Sequence, residues 1–139
     1  MASTAFDFEV ITPEGHAFRG RVTALRLPGR KGNFGVLARH APLVGALDAG
    51  VLRAKGEDGK EKAFAIGEGF VEVRRGGVRA LVDFCNAKGK VDVARAEKAM
   101  SRAKERARSR DAKVDHARAE AALKRALARL STSRLTGLD

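Results

Sequence analysis

Between Leu27 and Gly50 the chain reads LPGRKGNFGVLARHAPLVGALDAG, with glycines at short intervals and Arg30 and Lys31 among them. Glycines beside cations can cradle phosphate, because bare backbone N–H groups approach the oxygens closely and the cation offsets their charge. The complete phosphate loop requires G-x-x-x-x-G-K-[ST], so that lysine reaches the phosphates and the hydroxyl holds magnesium. Gly35 is followed instead by Val36 and Leu37. A second stretch, GEDGKEK from Gly56 to Lys62, places Glu61 where the hydroxyl residue belongs. A dinucleotide fingerprint would need a long helix after its glycines, and Pro42 breaks any helix begun at Val36. These glycines read as turn and bulge residues between short strands.

The remaining reactive side chains are dispersed. His16, His40 and His116 lack cysteine partners at metal-ligand spacing, so no metal site is expected. Cys85 is the single cysteine, which excludes an intramolecular disulfide. No nucleophile stands with a base, and no catalytic residue is expected. Positive charge is what accumulates: 28 Lys and Arg against 17 Asp and Glu, a net charge of +11. Arg102, Lys104, Arg106, Arg108 and Arg110 crowd one segment, and Arg118, Lys124, Arg125 and Arg129 another. So basic a chain suits an acidic partner, although such runs also serve as solvated helix faces. Arg125 and Arg129 would point from one helix face, and guanidinium forks match phosphate oxygens. A nucleic-acid-binding module is the alternative reading of the charge. Against it, the strands offer no Tyr or Trp for stacking bases, and no nucleic-acid motif is present.

Two hydrophobic periods organise the chain. From Ala5 to Phe84 the pattern is short strands. Phe6, Phe8 and Val10 alternate with Asp7 and Glu9, TPEG makes a turn, and VLRAK, KAFAI, FVEVR and VRALVDF follow between glycine-rich turns. Val22, Ala24 and Arg26 would share one face and Thr23, Leu25 and Leu27 the other, so that strand is expected to be buried on both sides. Close spacing leaves no room for helical crossovers and argues for an antiparallel sandwich or barrel. After Lys90, glycine disappears until Gly137. Val93, Ala96, Met100, Ala103 and Ala107 form one helical stripe, and Ala119, Leu123, Ala126 and Leu130 another. Asp92 is placed to cap the first helix, and Asp111 or Asp115 the second. The expected division is a sandwich over 1–90 and an antiparallel helical hairpin over 91–139. Its stripes are mostly alanine, which allows close approach but buries far less surface than leucine. No apolar run approaches the ~20 residues that cross a bilayer, and MASTAFDFEV has the pattern of neither a secretory signal nor a transit peptide.

The order of VITPEG, FGVLARHAPLVGALDAG, AIGEGFVEV, VDVARA and AALKRALARL resembles the epsilon subunit of the bacterial F-type ATP synthase, nearly end to end. The resemblance implies a sandwich of about ten strands before the hairpin. It also implies a non-catalytic place in the central stalk, with the gamma subunit and the membrane c-ring as partners, on the cytoplasmic face of the bacterial inner membrane. Asn33 and His40 align with positions expected near the polar loops of the ring. The sequence departs from the family at Arg30 and Lys31, where acidic residues are common, and at Ala38-Arg39 before the histidine. Members inhibit ATP hydrolysis when the hairpin extends and its cations meet an acidic segment of a catalytic beta subunit. Arg102, Arg106, Arg108, Arg110 and Arg118 would form that basic face here. Members also carry a regulatory ATP motif, [IL]-D-x-x-R-A with later arginines. Val91 to Ala96 matches it apart from the first residue, so Asp92, Arg95, Ala96, Arg102, Arg125 and Arg129 are the implied ATP-binding residues. Asn86 stands where ATP-binding relatives carry glutamate. No cofactor is required by this reading, ATP being a regulatory ligand, and no nucleic-acid partner is expected.

Overall fold

The computed structural model describes residues 4–138. Nine strands come first: β1 (Phe6–Thr12), β2 (Gly15–Gly29), β3 (Gly32–Leu37), β4 (Leu43–Leu47), β5 (Gly50–Gly56), β6 (Glu61–Ile66), β7 (Gly69–Arg74), β8 (Gly77–Val82) and β9 (Cys85–Ala87). A 3-10 turn at Lys88–Lys90 leads into α1 (Val93–Arg108) and α2 (His116–Ser133). A sandwich followed by a helical hairpin is thus what forms. Nine strands among the described residues agree with the sandwich of about ten that the resemblance implied. One pairing departs from the antiparallel rule, since β1 runs parallel to β8 from Asp7 opposite Gly77 to Ile11 opposite Leu81.

Fifteen-residue β2 serves both layers. Its first half pairs with β1, and its second half with β3 on one side and β5 on the other. Between Val22 and Ala24 the β2–β5 register shifts. An extra residue on one strand turns every later side chain to the opposite face. Val22 is buried before the shift, Leu25 and Leu27 are buried after it, and Arg26 is exposed. The strand therefore changes its inward parity rather than burying both faces, which corrects the expectation from simple alternation. Phe18 reaches into the core formed by Phe8, Val10, Leu27, Leu52 and Ile66. Its ring lies 5.8 Å from that of Phe8 and 5.3 Å from that of Phe64, each such pair contributing about 0.5–1.5 kcal/mol beyond its buried area.

β6 is the strand buried on both faces. Phe64 and Ile66 enter the sandwich core, while Ala63 and Ala65 are buried outside it. On that small-residue side lies α2, which packs across β5 and β6, and α1 packs on α2. Asp92 caps α1 by accepting from the Arg95 N–H at 3.0 Å, and Asp115 caps α2 by accepting from the Arg118 N–H at 3.1 Å. Each cap contributes about 0.5–2 kcal/mol. Asp111 instead braces the connecting turn, accepting from the Lys113 N–H at 2.9 Å. Of the helical stripes, Ala96, Ala103, Ala119, Ala126 and Leu130 are buried, whereas Val93 in the first turn of α1 stays exposed.

Gly69 opens β7 opposite Val82, and a Cβ there would be driven into the Leu81 carbonyl. Because backbone cannot yield as a side-chain tip does, Gly69→Ala is expected to destabilise the sandwich by about 1–3 kcal/mol. Gly45→Ala on neighbouring β4, whose new Cβ would meet Val71 Cγ1 at an ordinary 3.7 Å, should be tolerated. Denaturant midpoints of the two variants check the contrast.

Candidate functional site

Where α1 and α2 meet through alanines, the small side chains leave a groove with arginine walls. Asp92, Arg95, Ala96, Arg102, Arg125 and Arg129 all line one hollow of about 460 Å³, joined by Asn86 and Lys90 from the end of the sandwich. The spacing explains the convergence. Asp92, Arg95, Ala99 and Arg102 recur every three or four residues along one face of α1, as Ala122, Arg125 and Arg129 do along α2. An antiparallel hairpin turns these two faces toward each other.

Positive charge dominates the hollow. Among the described residues, no ion pair joins Arg95, Arg102, Arg125 or Arg129 to a carboxylate. Arg129 is the best held of the four. Its Nε donates to Asn86 Oδ1 at 3.0 Å, and its guanidinium lies over the Phe84 ring, 3.8 Å from the centroid. Burial, and then the charges of Arg125 and Arg95, pull Arg129 below its ordinary pKa. It remains protonated at neutral pH, because arginine starts far above it. An anion in the hollow would reverse the last two of those effects. Asn86 can meet Arg129 because β9 alternates: Cys85 and Ala87 pack against the core and Asn86 faces the hairpin. Burial pushes the Cys85 thiol up to about 12, so it is protonated and unreactive near neutrality.

The residues implied as a basic inhibitory face divide. Arg102, Arg106 and Arg118 line an adjoining hollow toward the α1–α2 turn, whereas Arg108 and Arg110 are exposed beyond it. Asn33 and His40 are both exposed but stand at opposite ends of β3, roughly 13 Å or more apart along the strand. Asn33 lies beside the Gly29–Gly32 turn. His40 follows Arg39, which adopts a left-handed φ of 63°, and His40 Nδ1 donates to the Ala41 carbonyl at 2.7 Å.

Two features escaped the sequence reading. Phe84 supplies the platform for Arg129. The outer face of β4, β7 and β8 also carries an apolar patch, with Val44 72%, Phe70 60% and Leu81 45% exposed. Phe70 pairs directly with Ala46 and Leu81, and Leu81 with Ile11, in one continuous row, while Val44 pairs with Glu72 in the next. The next row carries Arg19, Glu9, Arg79 and Glu72 in alternating sign. Glu9 accepts from Arg79 Nε at 2.7 Å. That bond chiefly holds its carboxyl below the usual range, with His16 adding to the effect and burial opposing it. Alternation in FVEV was the available signal, since burying Val71 and Val73 turns Phe70 outward.

A β-sandwich followed by an α-helical hairpin, with a cationic groove between the two helices, is the architecture to be placed among known proteins. Residues 5–87 match the beta-sandwich domain, and residues 90–134 the long alpha-helix domain, of the ATP synthase delta/epsilon chain. The chain belongs to the ATP synthase epsilon chain family, as a non-catalytic subunit. It is 41% identical over 133 residues to an ATP synthase epsilon chain of Syntrophomonas wolfei, covering 96% of this chain and 97% of that one. It is also 41% identical over 106 residues to the epsilon chain of Pelotomaculum thermopropionicum, covering 76% and 78%. Its fold matches a chain of the Euglena gracilis mitochondrial ATP synthase, in a structure that includes the c-ring, with a TM-score of 0.82 at 24% identity over 96% of this chain and 83% of that one. A chain of the Tetrahymena thermophila mitochondrial ATP synthase central stalk and c-ring gives a TM-score of 0.64 at 14% identity, covering 91% and 95%.

Arg129 links groove, sandwich and hairpin. Arg129→Ala is expected to loosen α2 by about 1–3 kcal/mol, the loss of a charge-assisted hydrogen bond and a cation–π contact. Native-state hydrogen exchange should show faster exchange in α2 and unchanged protection in β7 and β8.

Proposed function

We propose that this chain is the central-stalk subunit that couples the catalytic head of an F-type ATP synthase to its c-ring during ion-driven ATP synthesis. In this reading its hairpin acts as a nucleotide-responsive brake on hydrolysis. The carrying observation is the hollow in which all six candidate nucleotide residues converge, its four arginines joined to no carboxylate by an ion pair among the described residues. The sandwich is the docking part. Its apolar row of Ile11, Leu81, Phe70 and Ala46 is suited to the gamma subunit, because a continuous exposed apolar strip beside a charged border marks a protein interface. Asn33, with Arg30 and Lys31 near it, and His40 are the residues offered to the polar loops of the c-ring. No helix among the described residues is long and apolar enough to cross a membrane. Attachment to the cytoplasmic face of a bacterial inner membrane would run through these partners. In the extended hairpin, Arg102, Arg106, Arg108, Arg110 and Arg118 would meet an acidic segment of a catalytic beta subunit. Exposed single pairs contribute only about 0–1 kcal/mol, so several must act together.

In a reconstituted complex, truncation after Gly89 should leave binding to gamma and the c-ring intact while ATP hydrolysis rises. Loss of binding by a sandwich that remains folded would overturn this division of labour. Replacing Arg102, Arg106, Arg108 and Arg110 together by Ala should raise hydrolysis in the full-length subunit, and unchanged hydrolysis across ionic strengths would remove the electrostatic brake.

ATP would bind the compact hairpin, since only there do the walls of both helices face one hollow. A ligand shifts such an equilibrium through its differential affinity for the two forms. Losing one charge-assisted phosphate contact costs about 1.5–3 kcal/mol, so Arg125→Ala should weaken ATP binding about ten- to hundredfold in isothermal titration. Absence of heat at millimolar ATP, in wild type and in Asn86→Glu alike, would reduce the motif to hairpin packing.

A further inference from the structure

The groove does not end at the nucleotide residues. Toward the α1–α2 turn it continues into a second hollow of about 640 Å³, which shares Ala99, Arg102, Ala122 and Arg125 with the first. This second hollow adds Arg106, Lys113 and Arg118. From Arg95 to Arg106 one wall rises about 16 Å at the helical repeat. Arg95, Arg102 and Arg106 thus face Arg118, Arg125 and Arg129 along a single trough. Among the described residues none of the six is ion-paired. The carboxylate at the far end, Asp115, is engaged as the α2 cap at 3.1 Å from the Arg118 N–H.

We propose that this trough is a continuous site for linear oligophosphates longer than a triphosphate, with Arg106, Lys113 and Arg118 forming a second phosphate subsite near the turn. Three properties favour a phosphate chain. Guanidinium forks bind phosphate oxygens in paired hydrogen bonds. Cations repeat along the whole trough, which suits a ligand charged at every unit. The floor is alanine, narrow and smooth, and it admits a slim unbranched chain better than an acidic peptide with bulky side chains. The second subsite extends the nucleotide reading without depending on it.

The test uses the full-length chain, titrated calorimetrically at fixed ionic strength. Its ligands are inorganic tripolyphosphate and linear polyphosphate long enough to span both hollows. The long chain should bind at one site, about tenfold or more tighter than tripolyphosphate. Arg106→Ala with Arg118→Ala should abolish that gain, so that the long chain binds no tighter than tripolyphosphate. Arg106→Lys with Arg118→Lys, which keeps charge, should retain part of it, and circular dichroism should show both variants still helical. Arg74→Ala with Arg75→Ala, which discharges the β7–β8 turn away from the trough, should leave the gain intact. Affinity independent of chain length would overturn the proposal, as would a gain that survives in the Arg106/Arg118 alanine variant. Equal binding of a poly-glutamate of matched charge would show a peptide-reading surface instead. ATP is titrated in parallel: no ATP binding with the chain-length gain intact would remove the nucleotide reading alone.

Discussion

Ala63 and Ala65 present a smooth strip of β6 to α2, and the behaviour of the hairpin rests on how α2 sits there. Burying alanine yields a fraction of the roughly 1.5–3 kcal/mol that a leucine would supply. The polar links across the joint are few. Arg129 donates to Asn86 at 3.0 Å, and Lys124 reaches Asp48 at 3.7 Å, where Arg30 also lies at 3.6 Å. The two ion pairs to Asp48 are solvent-exposed on their basic side and contribute about 0–1 kcal/mol each. Of the buried α2 residues Ala119, Ala126, Ala128, Leu130 and Thr132, Leu130 alone is a large apolar side chain, so the joint is close and its adhesion modest.

The groove places a load on that joint. Arg95, Arg102, Arg125 and Arg129 repel one another across the same alanine seam that brings the helices together. Arg129 belongs to both systems, holding Asn86 and Phe84 on one side and facing the hollow on the other. Charge entering the groove and adhesion of α2 to the sandwich are therefore linked through one side chain. An anion bound as proposed would relieve that repulsion only while both helices flank it. The sandwich carries no such load: its ladders close through β2 and β8, and its outer charges on β1, β2, β7 and β8 alternate in sign.

Much of this was legible in the sequence, for reasons that differ by region. The change from period two to helical period near Lys90 separated the strands from the helices, because each period buries its apolar face in one way. Asp92 and Asp115 were readable as caps because their side chains act locally. The six groove residues were readable from their motif, and helical spacing explains why they converge. The parity change in β2 was not readable, since a bulge leaves no compositional mark where Val22, Thr23 and Ala24 already suit a strand. Parallel pairing of β1 with β8 depends on contacts seventy positions apart, such as Glu9 with Arg79, and local pattern carries no information about it. That Asn33 sits at the start of β3 and His40 in the turn beyond its end was not readable from their alignment either. The role of Asn86 likewise needed β9 to be placed beside α2.

The choice of alanine along the hairpin satisfies two requirements that oppose each other. Larger apolar residues at Ala96, Ala99, Ala122 and Ala126 would bury more surface and hold the helices more firmly. They would also fill the hollow whose floor those alanines form. A firm hairpin and an open cationic groove cannot be built from the same positions. With alanine, the helices approach closely enough for arginines from both to line one hollow, while the seam itself buries little surface. A phosphate chain bound as proposed would act with the alanine seam as one interaction, supplying the stabilisation that the seam lacks. That dependence would make the compact hairpin a reporter of anion concentration rather than a fixed appendage of the sandwich.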